Sequence, residues 1–504
     1  MKSINCFILL ICSSLYLRAQ PDIAISSSNK ELEKAFNWAK AKARSYVLTG
    51  KGGPVNRSEK ESPPDSVAYI PSYWAGYPLR TAFYSRDFCH QLAGAHWLGL
   101  ALENFTMMRA FAASSNQSRQ HYPLWAINFD GSPYSLDYRD DDDFVREVPA
   151  VFELVEKIYQ LYLLTGNEDY LWDEVLWSYC TRAVTDFVEQ HDKKIPNGVA
   201  EGTGTGDIFK GTATYNEQHD IPLLEAGDGI ASQYQAYLAY AAMAELRGNA
   251  ALSATFYAKA KELKQYFNTD WGIKDTDLYN RGYDTLGKPV TGWGKENSWF
   301  IPMKGITDDQ SPRHDKYLDF IAEKLQSKGG IPANIEAISY VPEIFFQYNR
   351  NEEGWKWMWH VISTIDQDHD QAALTGKQGD YPEISFVLVN NVVEGLAGIQ
   401  PLSGKIIRTA SHLPKKVSDL SLSHVKSGSH IISVNHIGNV KTVLRCEQGS
   451  EKFHWQAAFA GDFAVLEVNG KEMPAKQHQV AGQLYSYVEI PITVGQTIQV
   501  SVVH

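Results

Sequence analysis

The sequence has little cysteine, no excess of basic residues, and no hydrophobic run of membrane-spanning length. Five cysteines occur in 504 residues, and Cys6 and Cys12 lie in the apolar N-terminal segment. The remaining three, Cys89, Cys180 and Cys446, do not form a disulfide framework. The formal net charge of −12 argues against a nucleic-acid-binding surface. We therefore expect no nucleic-acid partner and no membrane span.

Several catalytic motifs are also missing. There is no H-E-x-x-H zinc motif and no G-x-S-x-G nucleophile elbow, so zinc-protease and serine-hydrolase chemistry lacks support. The glycine-rich segment 198–229 lacks the spacing of a phosphate-binding loop. The run Asp140 to Asp143 lacks the spacing of an EF-hand calcium loop, and helix capping with an Arg139 ion pair explains it better. We expect neither a metal nor a cofactor.

The N-terminal segment is typical of a secretion signal. Lys2 supplies a positive charge, an apolar run extends from Cys6 to Leu17, and the small residue Ala19 marks the expected cleavage point. The run is too short to span a bilayer. Residues 1–19 are therefore predicted to be a signal peptide, and the protein to be periplasmic or secreted. Removal of the signal peptide would take away Lys2 and Arg18, and the net charge would change from −12 to −12 − 2 = −14.

Two kinds of helical segment alternate up to about residue 400. Amphipathic segments with charged outer faces cover residues 31–47, 102–115, 170–190, 251–267, 312–325 and 352–365. Segments that are apolar on nearly all sides begin near Asp87, Asp143, Asp228, Gly294, Glu336 and Glu383. Exposed helices that alternate with buried ones predict a mostly α fold, in which six hairpins close into an (α/α)6 barrel over residues 20–402. The longer loops precede the buried helices, so the functional face is expected at the N-terminal ends of those helices.

A different pattern covers residues 403–504. Short runs rich in Val and Ile alternate with Gly and polar turns, which predicts a small antiparallel β-sandwich domain. The catalytic motifs stop before this domain, so we expect it to brace the barrel. Carbohydrate binding is the alternative.

Carboxylates cluster where the buried helices begin. The set comprises Asp87, Glu147, Glu225, Asp228, Glu296, Glu336 and Glu383. Helix capping and the helix dipole explain part of this pattern. They do not explain the neighbouring aromatic and basic residues, which are typical of a sugar-binding cleft. The predicted substrate-binding residues are Arg86, Asp87, His90, Arg139, Glu296, Trp299, Glu336 and Tyr381.

The architecture resembles that of the six-hairpin glycosidases, the clan of glucoamylase, over residues 31–400. This resemblance implies a general acid in the loop before the third inner helix and a general base before the sixth. The acid then falls within Glu201–Asp228, with Glu217, Glu225 and Asp228 as candidates. The base falls at Asp380 or Glu383. The glucoamylase acid motif itself is absent, which leaves the choice of acid open.

A looser resemblance is to enzymes of polysaccharide-utilisation systems that degrade ulvan, one type of which is an oligosaccharide dehydratase. The first functional hypothesis is therefore an inverting glycoside hydrolase that uses two carboxylates. The second is a lyase or dehydratase that acts on acidic oligosaccharides, and its candidate residues are His90, His219, Tyr215, Arg86 and Arg139. The third is a sugar-binding protein without catalysis. Glu383 is expected to be ionised and to act as the base, because it follows Pro382 in a first helical turn.

Overall fold

The computed structural model describes residues 22–57, 66–203, 208–216, 221–273, 277–332, 335–369 and 376–503. The predicted signal peptide lies outside the described residues. Two predicted catalytic residues, Glu217 and His219, also lie outside them.

The first part of the chain is mainly helical. The α-helices are α1 Lys30–Ser45, α2 Ser85–Trp97, α3 Ala101–Ser114, α4 Val148–Thr165, α5 Asp169–Trp172, α6 Glu174–Val184, α7 Asp186–His191, α8 Gly227–Leu246, α9 Ala250–Tyr266, α10 Glu296–Met303, α11 Pro312–Gln326, α12 Ile335–Ser339, α13 Val341–Gln347, α14 Asn351–Thr364 and α15 Pro382–Asn390. Short 3₁₀ turns lie at Ile208–Lys210 and Gln378–Asp380, and π turns at Phe267–Trp271 and Asn391–Leu396. Every segment that the sequence predicted to be helical contains a helix.

Side-chain caps and prolines set several helix boundaries. Asn29 accepts a hydrogen bond from the Leu32 N–H and starts α1, as expected for an N-cap. The predicted helix near Asp143 begins only at Val148, because Pro149 suits the first helical turn. The predicted segment 170–190 is divided into α5, α6 and α7. The segment after Glu336 is divided at Tyr340, before Pro342.

The buried helices contact one another in a closed circuit. Helix α2 contacts α4, α4 contacts α8, α8 contacts α10, and α10 contacts α13. Helices α12 and α13 contact each other, α12 contacts α15, and α15 returns to α2. Gly94 allows α2 and α15 to approach each other closely, since a Cβ at this position would lie 2.0 Å from the Phe386 carbonyl oxygen. Trp97 Nε1 also donates to Asn390 Oδ1 at 2.9 Å, so α2 and α15 are fixed side by side.

The C-terminal region is a two-sheet, sandwich-like unit. The strands of the structure are β1 Ala24–Ser27, β2 Gly52–Gly53, β3 Val67–Ala68, β4 Ala82–Tyr84, β5 Ala126–Asn128, β6 Leu223–Ala226, β7 Gly282–Asp284, β8 Pro289–Val290, β9 Ile399–Leu402, β10 Ile406–Ala410, β11 Asp419–Ser427, β12 His430–Ile437, β13 Lys441–Gln448, β14 Phe453–Ala460, β15 Val465–Val468, β16 Lys471–Pro474, β17 Lys476–Val480, β18 Gln483–Ile492 and β19 Thr497–Val502. One sheet has the order β1-β11-β12-β13-β19-β15-β16 and the other β17-β18-β14-β10-β9.

Two pairings in these sheets differ from the simplest expectation. Strand β10 pairs with β14 in parallel, although the sequence predicted antiparallel strands. The chain between them passes through three strands of the other sheet, which gives the long crossover that a parallel pair needs. Strand β1, from the N-terminal side, pairs with β11. The domain boundary at 402/403 stays a prediction.

Short strands in the helical region hold the starts of two buried helices. Strand β4 pairs with β5 and leads directly into α2. Strand β6 pairs with β7 and leads directly into α8. The sequence did not predict them, because each spans only a few residues. Within the described part of the chain, no helix combines the length and apolar character that crossing a membrane requires.

Candidate active site

Asp87 and Glu383 form the centre of a buried group of carboxyls. Asp87 lies in the first turn of α2, and Glu383 lies in the first turn of α15. Their side chains share a hydrogen bond, and Tyr381 Oη donates to Asp87 Oδ1 at 2.8 Å. Asp87 is 4% exposed and Glu383 is 1% exposed. A hydrogen bond between two carboxyl groups requires that one of them carries a proton.

Glu336 and Glu296 extend this group from α12 and α10, and both are buried. Asp87 and Glu336 raise the pKa of Glu383. Glu296, Glu336 and Glu383 likewise raise the pKa of Tyr340. We call Asp87, Glu296, Glu336 and Glu383 the carboxylate cluster. The sequence predicted that these four would lie in one cleft, and the structure brings them into one electrostatic neighbourhood.

Glu383 is the member of the central pair whose surroundings favour the protonated form. Burial, followed by the charges of Asp87 and Glu336, raises the pKa of Glu383 well above its usual range. Arg86 opposes this shift without cancelling it. The helix N-terminus was expected to keep Glu383 ionised, but burial beside like charges outweighs the dipole. Its Oε1 is buried and makes no hydrogen bond among the described residues, so this atom has hydrogen-bonding capacity that the described residues do not use.

The backbone beside Glu296 is strained. Lys295, which precedes α10, has φ +53° and ψ −118°, a conformation that non-glycine residues rarely adopt. Gly294 before it cannot be replaced easily, since a Cβ would lie 1.8 Å from Asn297 Oδ1. Strain of this kind persists only where the surroundings fix it, and it concentrates at functional sites.

A buried chain of contacts links Lys304 to Arg86, whose charge acts on Glu383 and Tyr340. Lys304 Nζ donates to Glu153 at 2.5 Å and to Glu156 at 2.6 Å. Tyr215 Oη donates to Glu153 Oε2 at 2.7 Å. Arg86 Nη1 in turn donates to the Tyr215 carbonyl oxygen at 3.0 Å. Lys304 therefore positions Arg86 beside the cluster through Glu153 and Tyr215.

His90 lies between the cluster and this chain. Its ring stacks on Tyr340 at 3.9 Å with an interplanar angle of 11°, and its Nε2 lies 3.9 Å from Glu153 Oε2. Burial and the positive charges of Lys157 and Lys304 lower the pKa of His90 well below its usual range. His90 is therefore neutral at physiological pH.

Asp228 and Glu225 are held by hydrogen bonds of their own. Asp228 Oδ2 accepts from Thr214 Oγ1 at 2.8 Å and from the Tyr215 N–H at 2.7 Å. Glu225 accepts from Asn197 Nδ2 at 2.9 Å and from Trp271 Nε1 at 2.5 Å. Burial raises the pKa of each carboxyl to about 7. These bonds hold both side chains in place, and a catalytic role for Asp228 or Glu225 stays a prediction.

Three other predicted residues lie in ordinary structural settings. Arg139 pairs with Asp143 at 2.7 Å, and its side chain is 62% exposed. Trp299 is fully buried and packs against Trp293, so its ring does not form an accessible stacking surface. Asp380, the alternative base, pairs with Lys42. No group of three or more His, Cys, Asp or Glu side chains within the described ranges is arranged to hold a metal ion.

Sequence reasoning did not select Glu153, Lys304 or Tyr340. Glu153 carried a usable signal: it is a carboxylate in the middle of the nearly apolar segment VPAVFELV, and carboxylates are almost never fully buried unless they are paired. Lys304 follows the apolar helix α10 directly, which is a weaker signal. Tyr340 offered none, because an aromatic residue in an apolar segment usually belongs to the core.

No family model matches the sequence, and no curated protein matches it. Solved structures of glycoside hydrolases do share its fold. An alpha-L-rhamnosidase from Dictyoglumus thermophilum superposes with a TM-score of 0.59 at 13% identity, over 95% of this chain and 50% of that chain. The GH78 family rhamnosidase of Bacillus sp. GL1 gives 0.58 at 11% identity, over 85% and 42%. A putative kojibiose phosphorylase from human microbiome gives 0.53 at 8% identity, over 94% and 67%. At these identities the likeness shows the fold, and this chain spans half or less of the length of the two rhamnosidases.

Proposed function

We propose that this chain is an exported carbohydrate-active enzyme, and that its helical region is an (α/α)6 barrel whose carboxylate cluster hydrolyses a glycosidic bond in an oligosaccharide. The observation that carries the proposal is the buried, hydrogen-bonded pair of Asp87 and Glu383. The closed circuit of buried helices supports the barrel. The shared fold with rhamnosidases supports the reaction class.

Glu383 is the proposed general acid. Glycoside hydrolysis needs a carboxyl group that stays protonated until it donates to the leaving oxygen. Glu383 meets this need because burial and neighbouring charges raise its pKa, and its Oε1 is free to receive the substrate. Asp87 acts as a positioning residue. It accepts a hydrogen bond from the protonated Glu383 carboxyl, and Tyr381 Oη donates to it.

Glu296 and Glu336 are the proposed candidates for the base that activates water. Both lie on helices that approach the central pair from other positions in the circuit. An inverting reaction requires acid and base carboxyls about 6.5–9.5 Å apart, a separation that leaves room for the water. The strained Lys295 beside Glu296 favours Glu296 of the two.

The substrate is proposed to be neutral at the cleaved residue. Arg86 is a buried cation beside the carboxylate cluster, and the cluster's carboxyls outnumber it. A uronate or sulfate group placed there would meet net negative charge. An acidic sugar is better accommodated farther from Glu383.

A second candidate reaction is elimination, as in a lyase or dehydratase. The observation that favours it is the stacked pair of neutral His90 and Tyr340, because a neutral imidazole can accept a proton from a sugar carbon. Tyr340 Oη is buried and makes no hydrogen bond among the described residues. Tyr215, the tyrosine predicted from the sequence, already donates to Glu153.

One experiment separates these reactions. Purified protein is incubated with a panel of neutral and acidic plant and algal oligosaccharides, and the products are analysed by mass spectrometry. Hydrolysis adds one water per cleaved bond. A lyase cleaves the bond without adding water and leaves an unsaturated product that lacks one water relative to hydrolysis, and a dehydratase removes one water from an intact chain. We expect addition of water, with loss of this activity in Glu383→Gln. Products that lack one water, formed undiminished by Glu383→Gln, would replace the hydrolase proposal with elimination.

A further inference from the structure

A polar cavity lies beside His90, and its lining does not include the residues of the carboxylate cluster. Its volume is about 520 Å³, which is within the range of small-molecule sites. The residues that line it come from later turns of α4 and α8 and from the end of α10. The cluster carboxyls instead occupy first turns. We call this space the distal cavity.

The floor of the distal cavity is built from buried polar groups. His90 and Lys304 both line it, and these side chains are 3% and 4% exposed. The Nε2 atom of His90 is buried and makes no hydrogen bond among the described residues. Its ring stacks on Tyr340, which contacts the cluster electrostatically. His90 therefore joins the cavity lining to Tyr340, and its Nε2 lies 3.9 Å from Glu153 Oε2.

The cationic groups of the distal cavity are already neutralised. Lys304 bonds to Glu153 and Glu156. Lys157 lies 3.8 Å from Glu156 and donates to Gln160 at 2.9 Å. Glu343 adds a further carboxyl to the lining. Burial raises the pKa of Glu343, and both lysines are already paired with carboxylates, so an anionic ligand would gain little from them.

The walls offer groups that suit hydroxyls. Gln160, Gln235 and Gln347 line the cavity, and an amide both donates and accepts hydrogen bonds. Gln160 Oε1 accepts from Lys157, while Gln235 Nε2 and Gln347 Nε2 donate to the Lys304 carbonyl and to Tyr348 Oη, so each amide offers its other end to a ligand. Tyr257 lines it as well and is 40% exposed, which leaves an aromatic ring available for contact with the C–H face of a sugar. Amides and an aromatic ring beside an apolar wall form a combination that binds polyhydroxylated molecules.

We propose that the distal cavity is a second binding site, for a neutral, hydroxyl-rich saccharide unit. This site does not depend on the reaction at the carboxylate cluster. It takes a sugar through the glutamine amides, the Tyr257 ring and the His90 imidazole, and it discriminates against uronates.

The test is isothermal titration of Glu383→Gln protein with D-glucose, L-rhamnose and D-glucuronate. At least one neutral sugar is expected to bind with a Kd below about 10 mM, and more tightly than glucuronate. The double change Gln160→Leu/Tyr257→Ala should weaken this binding at least tenfold. Gln347→Leu, a second change in the same wall, should also weaken this binding. The matched control is Gln326→Leu/Trp172→Ala, which removes an amide and an exposed aromatic ring from outer helices and should leave binding unchanged.

The number of sites distinguishes this proposal from the proposed function. If both sites bind the sugar, two sites per chain fall to one in the Gln160→Leu/Tyr257→Ala background. If the carboxylate cluster binds no sugar, one site falls to none, and the distal proposal still stands. Binding that survives all the wall substitutions, tighter binding of glucuronate, or no binding of either neutral sugar would overturn it.

Discussion

Two groups of buried carboxyls occupy the same kind of position and differ in what surrounds them. Glu225 lies in strand β6, two residues before α8, and Asp228 lies in the first turn of α8. Asp87 and Glu383 lie in the first turns of α2 and α15. Burial raises the pKa of three of these four carboxyls, those of Glu225, Asp228 and Glu383. Donors from Trp271, Asn197, Thr214 and the Tyr215 N–H compensate the first group. In the second group, the negative charges of Asp87 and Glu336 raise the pKa of Glu383 further. We therefore expect the donor-bonded Glu225 and Asp228 to support the fold, and the Asp87–Glu383 pair to carry the chemistry, although Glu201 and Asp192 also raise the pKa of Glu225.

The largest expected effect is on turnover in Glu383→Gln. The amide keeps the shape of the side chain and cannot donate an acidic proton. We expect a loss of at least about a hundredfold in kcat, the scale of acid–base groups, in a protein that remains folded. The measurement is oligosaccharide hydrolysis at saturating substrate. Glu225→Gln is the matched control, and its kcat should remain within a few-fold of wild type.

Equal losses in these two variants would remove the distinction between the groups. A Glu383→Gln protein with near-normal turnover would end the assignment of Glu383 as the acid.

The second effect is on stability in Asp228→Ala. This change leaves Thr214 Oγ1 and the Tyr215 N–H without their acceptor in a fully buried site. Unsatisfied buried donors cost about 1–3 kcal/mol each, so the free energy of unfolding should fall by about 2–6 kcal/mol in urea denaturation. Asp228→Asn keeps an acceptor oxygen and should lose much less. If Ala and Asn variants were equally stable, the two hydrogen bonds would not be what requires Asp228.

How much of the fold could be predicted from the sequence depended on the sequence separation of the residues in contact. Apolar periodicity located the helices, because packing of one face is a local sequence signal. The same periodicity could not give the pairing of β10 with β14, since their contact bridges strands that are distant in sequence.

The site was predictable in composition and not in protonation. The sequence placed Asp87, Glu296, Glu336 and Glu383 at helix starts, and the structure brings them together. It could not show that Asp87 and Glu383 share a hydrogen bond, which depends on the approach of α2 and α15 at Gly94. Trp299 was chosen for its ring, and only the packing against Trp293 shows that the ring is inaccessible.

The third effect is a change in how stability depends on pH. The pKa of Asp228 is about 7 in the folded protein, against 3.8 ordinarily. Its protonated form is favoured by folding, so this contribution is fully present below about pH 4 and is lost as pH rises through 7. Asp228→Asn lacks this loss. Between pH 5 and pH 8, the variant should therefore gain at least about 1 kcal/mol in free energy of unfolding relative to wild type.

Urea denaturation at both pH values measures this difference. Glu31→Gln, on the exposed face of α1, serves as the control and should follow the wild-type curve. A wild-type protein whose stability rises from pH 5 to pH 8 in parallel with Asp228→Asn would show that Asp228 is ionised throughout.

The smallest effect is expected in Tyr381→Phe, and it tests the central pair directly. Tyr381 Oη donates to Asp87 and so stabilises the state in which Asp87 is ionised and Glu383 holds the proton. Without this donor, formation of that state requires a higher pH, and the acidic limb of the kcat/KM profile should move upward by less than about one unit. A merely structural role for Tyr381 would lower kcat/KM equally at every pH and leave the limb in place. The aromatic contact with Tyr77 is retained by Phe, so packing changes little and the shift isolates the hydroxyl. An unmoved acidic limb would mean that Asp87 is not the ionised partner, and the proton would then have to be assigned within the pair afresh.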